Sequence, residues 1–453
     1  MVRETVTRPR TEEIEAYIRR YSDVPHEVIV KEDILNLGQR FTDAALGAAE
    51  GAMVKSYRLF SYDMVRMADM EQQEHKRAPE WFLIEAGPYG LRTVQVQTRM
   101  APDSPYLVDV VDGRLALLLD GVAIARVRYP EAPDYYTRSF EDGTRYHEII
   151  ANGNFCTAFR SCQYWGPKEE CKFCDINENA RQMKQSHDFT VAAPVKRADY
   201  VAEVANEVQR EADAKAGHPV ETYYVLTGGT ILNKLHGKTE EEFYSEYVEA
   251  LKWGGGRRYV ALQTNARPKE IMRRYRAVGV DNHNANMEVW DRRLFEWINP
   301  GKARRIGWEN WVKWMCESVD VFGDGNVTPN LVAGVEMAKP YGFATVAEAV
   351  QSTAEGLDVL MSHGVMPRFN HWCREAGSYL VKEHEQPPPP LDYYIQILAI
   401  RYELWKKYRL PYPHGNYRYD PMHPNESPMG VYHGAYDDFI LLMEDRKDEP
   451  PPA

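Results

Sequence analysis

Residues 152–182 read NGNFCTAFRSCQYWGPKEECKFCDINENARQ and hold four of the six cysteines in the chain. These are Cys156, Cys162, Cys171 and Cys174, spaced C-x5-C-x8-C-x2-C. Two thiolates three positions apart can bind one metal centre without strain, so C-x2-C recurs in iron–sulfur and zinc sites. A third thiolate from the same loop would leave one iron of a four-iron cluster open to a small ligand. The stretch predicts such a cluster, with a structural four-cysteine zinc site as the alternative.

The composition of the 453-residue chain is that of a soluble globular protein, with 44% apolar and 27% charged residues. Its length suggests one large domain with elaborations, or two to three domains. The net charge is −12 and no basic face stands out, so a nucleic-acid partner is not expected. No apolar run is long enough to span a membrane, and the N-terminus MVRETVTRPR lacks the apolar region of a secretory signal. Cysteines concentrated in one loop favour a reducing, cytoplasmic setting.

Residues 1–144 are predicted to form an extension of helices and β-hairpins. Apolar residues at helical spacing predict helices over 14–21 and 34–53. From Trp81 onward apolar and polar residues alternate, and the pairs Asp112-Gly113 and Asp120-Gly121 are strong hairpin signals. We expect a small antiparallel β unit at about 80–130, which is either a platform for a substrate or partner or a cap over the next domain.

Residues 145–382 alternate between strand and helix patterns. The segment HEIIANGNF (147–155) is predicted as a first strand that delivers the cysteine loop. The predicted strands that follow are TYYVLTGG, RYVALQTN, the strand and loop GVDNHNANME, NLVAGVE and GVMPRFN, and the predicted helices span 198–215, 240–252, 268–277, 291–298, 308–321 and 345–363. Repeated β–α units imply a parallel sheet with right-handed crossovers. The fold class is α/β, a partial or full TIM-like β/α barrel with its chemistry at the carboxyl ends of the strands.

Residues 383–453 form a helical and irregular tail that follows the proline break EHEQPPPP. A helix is predicted over 391–407. The rest of the tail is rich in tyrosine and histidine, and it either closes over the site or simply packs against the domain. The candidate lid residues are Tyr412, His414, Tyr417, Tyr419, His423 and His433.

The motif Cys171-Lys172-Phe173-Cys174, on a loop after the first strand of a β/α barrel, resembles the radical S-adenosylmethionine (SAM) superfamily. The usual signature of that family is C-x3-C-x2-C, and this chain departs from it. The long gap before CKFCD is similar to the expanded loop of 7-carboxy-7-deazaguanine synthases. The full four-cysteine pattern is closer to the loop of the elongator catalytic subunit, which modifies tRNA, but neither resemblance extends past the loop.

The resemblance implies a [4Fe-4S] cluster bound by Cys171, Cys174 and a third cysteine. The third ligand is Cys162 or Cys156, and the elongator-type pattern favours Cys162, the cysteine just before the long gap. It also implies that SAM binds the open iron and is cleaved reductively, giving a 5′-deoxyadenosyl radical that abstracts hydrogen from a substrate. An electron donor such as a flavodoxin or a ferredoxin would supply the electron.

Further motifs resemble the SAM-binding segments of the family. Thr227-Gly228-Gly229-Thr230 is similar to its Gly-Gly-Glu motif, whose backbone receives the SAM amino group, with Thr230 in place of Glu. Glycine allows such a close backbone approach. Phe173, the aromatic of the C-x-aromatic-C motif, is a further candidate cofactor contact.

The segment NHNANMEVWDRRLFEWINP (282–300) resembles lipoyl and biotin synthases, which places Glu288 at the ribose hydroxyls. Asn265, at the end of a strand, is another polar candidate, and Arg304 or Arg305 would pair with the SAM carboxylate. LVAGVE, which ends at Glu336, resembles the fifth-strand motif near adenine. For either arginine the alternative is a solvated surface charge, and for Glu336 an ordinary strand-to-helix turn.

The function that the resemblance implies is radical SAM chemistry on a small-molecule substrate. The alternatives are a radical SAM enzyme that modifies tRNA or another RNA, and a non-catalytic binding protein stabilised by zinc or a cluster. Cys316 lies on an apolar helical face and Cys373 follows the last predicted strand, where it could touch a substrate. The remaining cysteines do not form a second group that could bind another cluster, and no D-x-H-x2-G cobalamin signature occurs in the sequence.

Overall fold

The computed structural model describes residues 9–55, 62–65, 77–186, 195–411 and 433–445. The protein is α/β, with one mainly antiparallel sheet, a second set of parallel strands, and helices packed around both. A continuous hydrophobic core runs through all three parts of the chain. No helix in these ranges is both long and apolar enough to cross a membrane.

The described chain begins with three helices, α1 (Arg10–Arg20), α2 (His26–Leu37) and α3 (Asp43–Gly47). The prediction of one helix over 34–53 is wrong, because α2 ends at Gly38, whose φ is +66°. A Cβ at Gly38 would stand 2.7 Å from the backbone oxygen of Arg99. Only glycine combines this left-handed conformation with so close a neighbour, and the chain therefore turns here.

A six-stranded sheet follows, formed by β1 (Arg40–Phe41), β2 (Trp81–Ala86), β3 (Leu91–Gln97), β4 (Tyr106–Val111), β5 (Arg114–Leu119) and β6 (Val122–Arg128). The strand order is β1-β4-β5-β6-β2-β3, and every pair is antiparallel except β1 with β4. Both residues of Asp112-Gly113 and of Asp120-Gly121 have positive φ, as a two-residue hairpin turn requires. The antiparallel unit predicted at about 80–130 is confirmed.

Six parallel strands form the second layer, β7 (Phe155–Phe159), β8 (Glu221–Gly228), β9 (Arg257–Gln263), β10 (Asn282–Asn284), β11 (Asn330–Ala333) and β12 (Arg368–His371). β7 to β10 pair in sequence order, and β11 pairs with β12. Parallel bridges from His283 to Val327 and from Glu288 to Leu331 connect the two groups. The order β7-β8-β9-β10-β11-β12 is that of a partial β/α barrel, which confirms the predicted class.

The first strand of the barrel lies further along the chain than predicted. Residues 146–149 form the short helix α4 (Tyr146–Ile149), and β7 starts only at Phe155. All five residues of β7 are buried. This shift places Cys156 inside a strand, whereas the sequence had suggested that it begins the cysteine loop.

Helices connect the parallel strands and cover them: α5 (Ile176–Ser186), α6 (Ala198–Ala216), α7 (Glu240–Lys252), α8 (Lys269–Ala277), α9 (Arg292–Ile298), α10 (Pro300–Arg305), α11 (Trp308–Phe322) and α12 (Val346–Ser362). The helix α7 starts with a capping box in which Thr239 and Glu242 bond to each other's backbone. Thr345 and Glu348 do the same for α12. These local signals explain why both helices begin where the sequence predicts.

The C-terminal part contains α13 (Tyr379–Glu383), α14 (Leu391–Tyr408) and α15 (Tyr436–Asp445). The helix predicted over 391–407 is confirmed. Lys31 of α2 forms a buried ion pair with Asp438 of α15 at 2.5 Å, so the two ends of the chain are tied together. Of the predicted lid residues, Tyr412, His414, Tyr417, Tyr419 and His423 lie outside the described residues, and His433 lies within them.

Candidate active site

A cavity of about 180 Å³ opens at the carboxyl ends of the parallel strands. Its lining comes from the cysteine loop, from β8 to β12 and from both terminal parts of the chain. Among the predicted residues it includes Cys162, Cys171, Phe173, Cys174, Thr227, Gly228, Gly229, Thr230, Asn265 and Glu288. Residues that the sequence did not indicate also line it, among them Tyr164, Gln263, Lys302, His371 and Trp372.

The loop that carries the three cavity cysteines is held by its own backbone and by α5. The amide oxygen of Asn177 accepts the N–H of Cys162 at 3.0 Å, and the amide nitrogen donates to Tyr164 O at 2.8 Å. The N–H of Cys174 donates to Cys171 O at 3.1 Å. Burial raises the pKa of all three thiols, that of Cys171 to about 12. Each thiol is therefore neutral unless a metal centre takes its proton.

The donor chemistry of the cavity fits an iron–sulfur cluster. Iron–sulfur clusters are held by thiolates placed around them, whereas a structural zinc ion needs four donors converging on one point. Cys162, Cys171 and Cys174 are free thiols that line one cavity, and thiolates are the donors that such a cluster takes. As the side chains stand, no three His, Cys, Asp or Glu of the described residues are grouped to hold a single metal ion.

Cys156 is not part of this arrangement. It lies in β7, is fully buried in the main hydrophobic core and does not line the cavity. Of the two candidates for the third ligand, the structure thus brings Cys162 to the cavity and leaves Cys156 outside it. A zinc site with all four cysteines would require Cys156 to leave its strand. Cys316 is on α11, away from the cavity, whereas Cys373 is buried in the cavity wall.

The glycine pair packs directly against the cysteine loop. A Cβ on Gly229 would stand 1.8 Å from Ser161 O and 2.5 Å from the Cα of Cys162. A Cβ on Gly228 would stand 2.6 Å from the hydroxyl of Tyr244. Glycine is thus required by the fold at both positions. The N–H of Gly229 donates to Phe159 O at 3.0 Å, and its carbonyl oxygen accepts from the Tyr244 hydroxyl at 2.9 Å.

Polar side chains at the ends of β8 and β9 bond to one another along the cavity wall. The Thr227 hydroxyl donates to the amide oxygen of Gln263 at 2.8 Å, and the Thr230 hydroxyl donates to the amide oxygen of Asn265 at 3.4 Å. The amide nitrogen of Asn265 donates to Glu240 at 3.3 Å. These contacts fix the orientation of the lining before any ligand binds.

Glu288 lies in the cavity and is paired with a lysine. Its φ is +72°, and its carboxylate accepts a hydrogen bond from Lys302 Nζ at 2.6 Å. Lys302 Nζ also donates to Asn286 O at 2.7 Å. Burial acts to lower the pKa of Lys302, but the charge of Glu288 and its hydrogen bond outweigh burial and hold that pKa above its usual value. Lys302 is therefore a permanent cation beside the cysteines.

The structure does not bring Arg304 and Arg305 to the cavity. Neither lines the cavity, and both are on the exposed side of α10, where they pair with Glu169. Arg304 Nη1 also donates to Lys168 O at 3.0 Å. The surface-charge alternative is the better description. The cations that line the cavity are Lys302, two positions before Arg304 on α10, and Arg368 of β12.

Glu336 is also outside the cavity. It is buried behind β11, where its carboxylate accepts from Gly334 N at 2.9 Å and from the Thr353 hydroxyl at 3.3 Å. Burial raises its pKa to about 7. Glu336, predicted near adenine, thus bonds within the turn that follows β11, as in the alternative of an ordinary strand-to-helix turn.

The fold and site define a parallel α/β protein with a thiol-lined cavity at its strand ends. No family model matches the sequence, and no curated protein matches it. Solved structures with a distant likeness include the [FeFe]-hydrogenase maturase HydG, at 12% identity over 60% of this chain and 56% of that chain, with a TM-score of 0.38. Methylornithine synthase PylB matches at 12% identity over 59% of this chain and 71% of that chain, with a TM-score of 0.39.

Escherichia coli coproporphyrinogen III oxidase HemN, described as a radical SAM enzyme, matches at 15% identity over 56% of this chain and 51% of that chain, with a TM-score of 0.32. This chain thus spans about half the length of HydG and of HemN. At such scores the likeness assigns the chain to none of these proteins. The functional argument therefore rests on the residues of the site.

Proposed function

We propose that the chain is a radical SAM enzyme that acts on a small molecule. The observation that carries the proposal is that Cys162, Cys171 and Cys174 line one cavity at the carboxyl ends of parallel strands. These three thiolates would hold a [4Fe-4S] cluster with one iron left for SAM. When bound, cluster and SAM together supply a 5′-deoxyadenosyl radical that can take a hydrogen atom from the substrate.

The chain's own residues would bind and orient SAM. Gly228, Gly229 and the polar side chains of Thr230 and Asn265 line the same cavity as the thiols. Glu288 offers a carboxylate for hydroxyl donors, and Lys302 offers the cation that the sequence had sought in Arg304 or Arg305. Phe173 adds an apolar surface between two of the cysteines.

The substrate would occupy the part of the cavity formed by the end of β12. Asn370, His371, Trp372 and Cys373 line it there, and His433 lines it from the C-terminal part. Such a wall suits a small polar molecule. The net charge of −12 offers no general attraction for nucleic acid. A flavodoxin or ferredoxin in a cytoplasmic setting would supply the electron.

The test is anaerobic reconstitution with iron and sulfide, followed by SAM and dithionite. We expect about four irons per chain and formation of 5′-deoxyadenosine. Cys171→Ser should lose both the bound iron and the formation of 5′-deoxyadenosine. Cys316→Ser, a change on α11, should keep both. A fully loaded cluster that gives no 5′-deoxyadenosine under good reduction would contradict the proposal.

The same preparations separate the two other functions. Zinc without iron after anaerobic purification would favour a zinc-stabilised binding protein. Tight, salt-dependent binding of tRNA would favour an RNA-modifying enzyme. We expect neither result.

A further inference from the structure

The second cation of the cavity wall is Arg368, the first residue of β12. In the parallel pair of β11 and β12 it lies opposite Asn330, which also lines the cavity. Along a strand the side chains point alternately to the two faces of the sheet. Asn370, two positions after Arg368, lines the cavity, whereas Phe369 between them belongs to the main hydrophobic core. The side chain of Arg368 therefore points into the interior of the barrel.

The charge of Arg368 acts on tyrosines of three other elements, β8, β9 and α15. Burial raises the pKa of Tyr223, Tyr259 and Tyr436, and the charge of Arg368 acts in the opposite direction on each. Tyr223 and Tyr259 lie opposite each other in β8 and β9, and their rings stack with 4.5 Å between the centres. Tyr436 lines the cavity. A charge on β12 that acts on all three residues lies inside the ring of strands.

Side-chain amides form the wall beside the guanidinium. The amide oxygen of Asn286 accepts from the amide nitrogen of Asn330 at 3.2 Å and from its backbone N–H at 3.1 Å. Both residues line the cavity, as does Asn370. The first two strands contribute apolar surface instead, from Phe155 of β7 and Val225 of β8. A ligand in the cavity would thus meet a cation and amides on one part of its surface and apolar groups on another.

Strand β11 separates Arg368 from the buried pair of Glu288 and Lys302. The N–H of Glu288 donates to Asn330 O at 3.1 Å on one side of β11, and the N–H of Arg368 donates to Pro329 O at 2.9 Å on the other. Neighbouring strands lie about 4.8 Å apart, so the backbones of Glu288 and Arg368 are roughly 10 Å apart. The cavity therefore has two cationic positions, and the proposed function assigns the first, Lys302, to SAM.

We propose that Arg368 binds a carboxylate of the substrate, and that the amides of Asn330 and Asn370 bond to polar atoms beside it. A guanidinium presents five N–H donors in a planar fork, so two can go to one carboxylate while others bond within the protein. A single cation matches a monoanion better than a phosphate dianion. The apolar surface suits the carbon chain of a small carboxylic acid. The inference rests on the proposed function for the assignment of this part of the cavity to the substrate.

Acetate and acetamide are matched probes for this position. They have nearly the same size and shape, but only acetate carries a charge and offers two equivalent acceptors to the guanidinium fork. Hydrogen bonds to charged groups are the stronger ones, so the site should prefer acetate. Both probes are defined small molecules, although the full substrate is unidentified.

The experiment is an NMR titration of the full chain, labelled with ¹⁵N at the arginine Nε atoms, at an ionic strength held constant with chloride. Arg368→Lys and Arg368→Gln each assign the Arg368 signal, so one folded variant is sufficient. Acetate should move this signal progressively. Acetamide should move it at least about tenfold less at equal concentration, because it lacks the charge-assisted bonds.

Arg258 of β9 provides an internal control. It is also buried, donates to Leu251 O at 2.7 Å and to the Asn206 amide oxygen at 2.6 Å, and does not line the cavity. Its signal should stay in place with both probes. Equal responses of Arg368 to acetate and acetamide, or no response to acetate, would overturn the inference.

Two further additions test the choice of ligand. A stronger response of Arg368 to inorganic phosphate than to acetate would overturn the assignment to a carboxylate. Loss of the acetate response when saturating SAM is added to the reconstituted protein would assign Arg368 to SAM, and would overturn the assignment to the substrate. The titration with acetate and acetamide requires no cluster, so failure to bind iron or to form 5′-deoxyadenosine counts separately against the proposed function.

Discussion

Lys302 Nζ lies 2.6 Å from Glu288 Oε1, and both side chains are about nine-tenths buried. The ammonium also lies 5.0 Å from the ring centre of Trp311, so aromatic surface covers it on one side. Breaking a buried ion pair by removing one partner leaves an uncompensated charge. The pair therefore couples the shape of the cavity to the stability of the domain.

We expect Lys302→Met to destabilise the iron-free protein by about 3–5 kcal/mol, because Glu288 would remain buried without its cation. The double variant Glu288→Gln/Lys302→Met should recover part of this loss, since neither charge is left. Equilibrium urea unfolding measures both. The control is Arg292→Met, which removes an exposed pair with Glu296 and should cost about 0.5 kcal/mol or less. Equal losses in the two single variants would contradict the assignment of a buried pair.

Cys162 and Cys156 should behave oppositely when each is replaced. Cys162 lines the cavity, and Cys156 is packed in β7. Cys162→Ser should bind clearly less iron than the parent protein after reconstitution, with the cluster absorbance reduced in proportion. Cys156→Ala should keep its iron and lose some stability, because a buried side chain is shortened. A normal iron content in Cys162→Ser, together with a loss of iron in Cys156→Ala, would reverse the ligand assignment.

Much of the fold could be predicted from the sequence because its signals are local. The Asp-Gly hairpins of the antiparallel sheet and the helix after Pro268 depend on a few neighbouring residues, and each appears where expected. The helices predicted at 240–252 and 345–363 also start close to where expected, and the structure shows a local capping box at each start. The sequence also predicts that Thr227 and Asn265 line one cavity, because both follow parallel strands whose carboxyl ends lie at the same edge.

Other parts of the site depend on contacts that a single segment does not reveal. Arg304 and Lys302 are two positions apart, and only the packing of α10 decides which of them faces the cavity. Glu32 reaches His371 across 339 positions of the sequence. Cys156 was misplaced because its strand starts later than the apolar pattern suggested.

Gly229→Ala should disturb the cysteine loop. The new Cβ would meet the backbone of Ser161 and Cys162, which cannot move aside as a flexible side chain could. We expect a loss of about 1–3 kcal/mol in stability, with reduced iron binding. Gly47→Ala is the matched control, because nothing lies within 4 Å of a Cβ there, and it should change stability by about 0.5 kcal/mol or less. Urea unfolding and iron analysis on both variants test this, and unchanged iron binding in Gly229→Ala would contradict it.

Glu336→Gln should make the protein more stable at alkaline pH. The pKa of Glu336 is raised from 4.5 to about 7 by burial, so the folded state holds this proton more firmly than the unfolded state does. The resulting stability is fully present below about pH 4.5 and is lost as the pH rises through about 7. Glutamine resembles the protonated acid and keeps an acceptor for Gly334 N.

The free energy of unfolding of Glu336→Gln should therefore exceed that of the parent protein by about 1–3 kcal/mol at pH 8.5. This difference should shrink towards pH 5. Urea unfolding at a series of pH values measures it. Glu355→Gln, an exposed change on α12, should show little difference at any pH. If the difference in free energy of unfolding between Glu336→Gln and the parent stays constant from pH 5 to 8.5, Glu336 does not titrate as its burial requires.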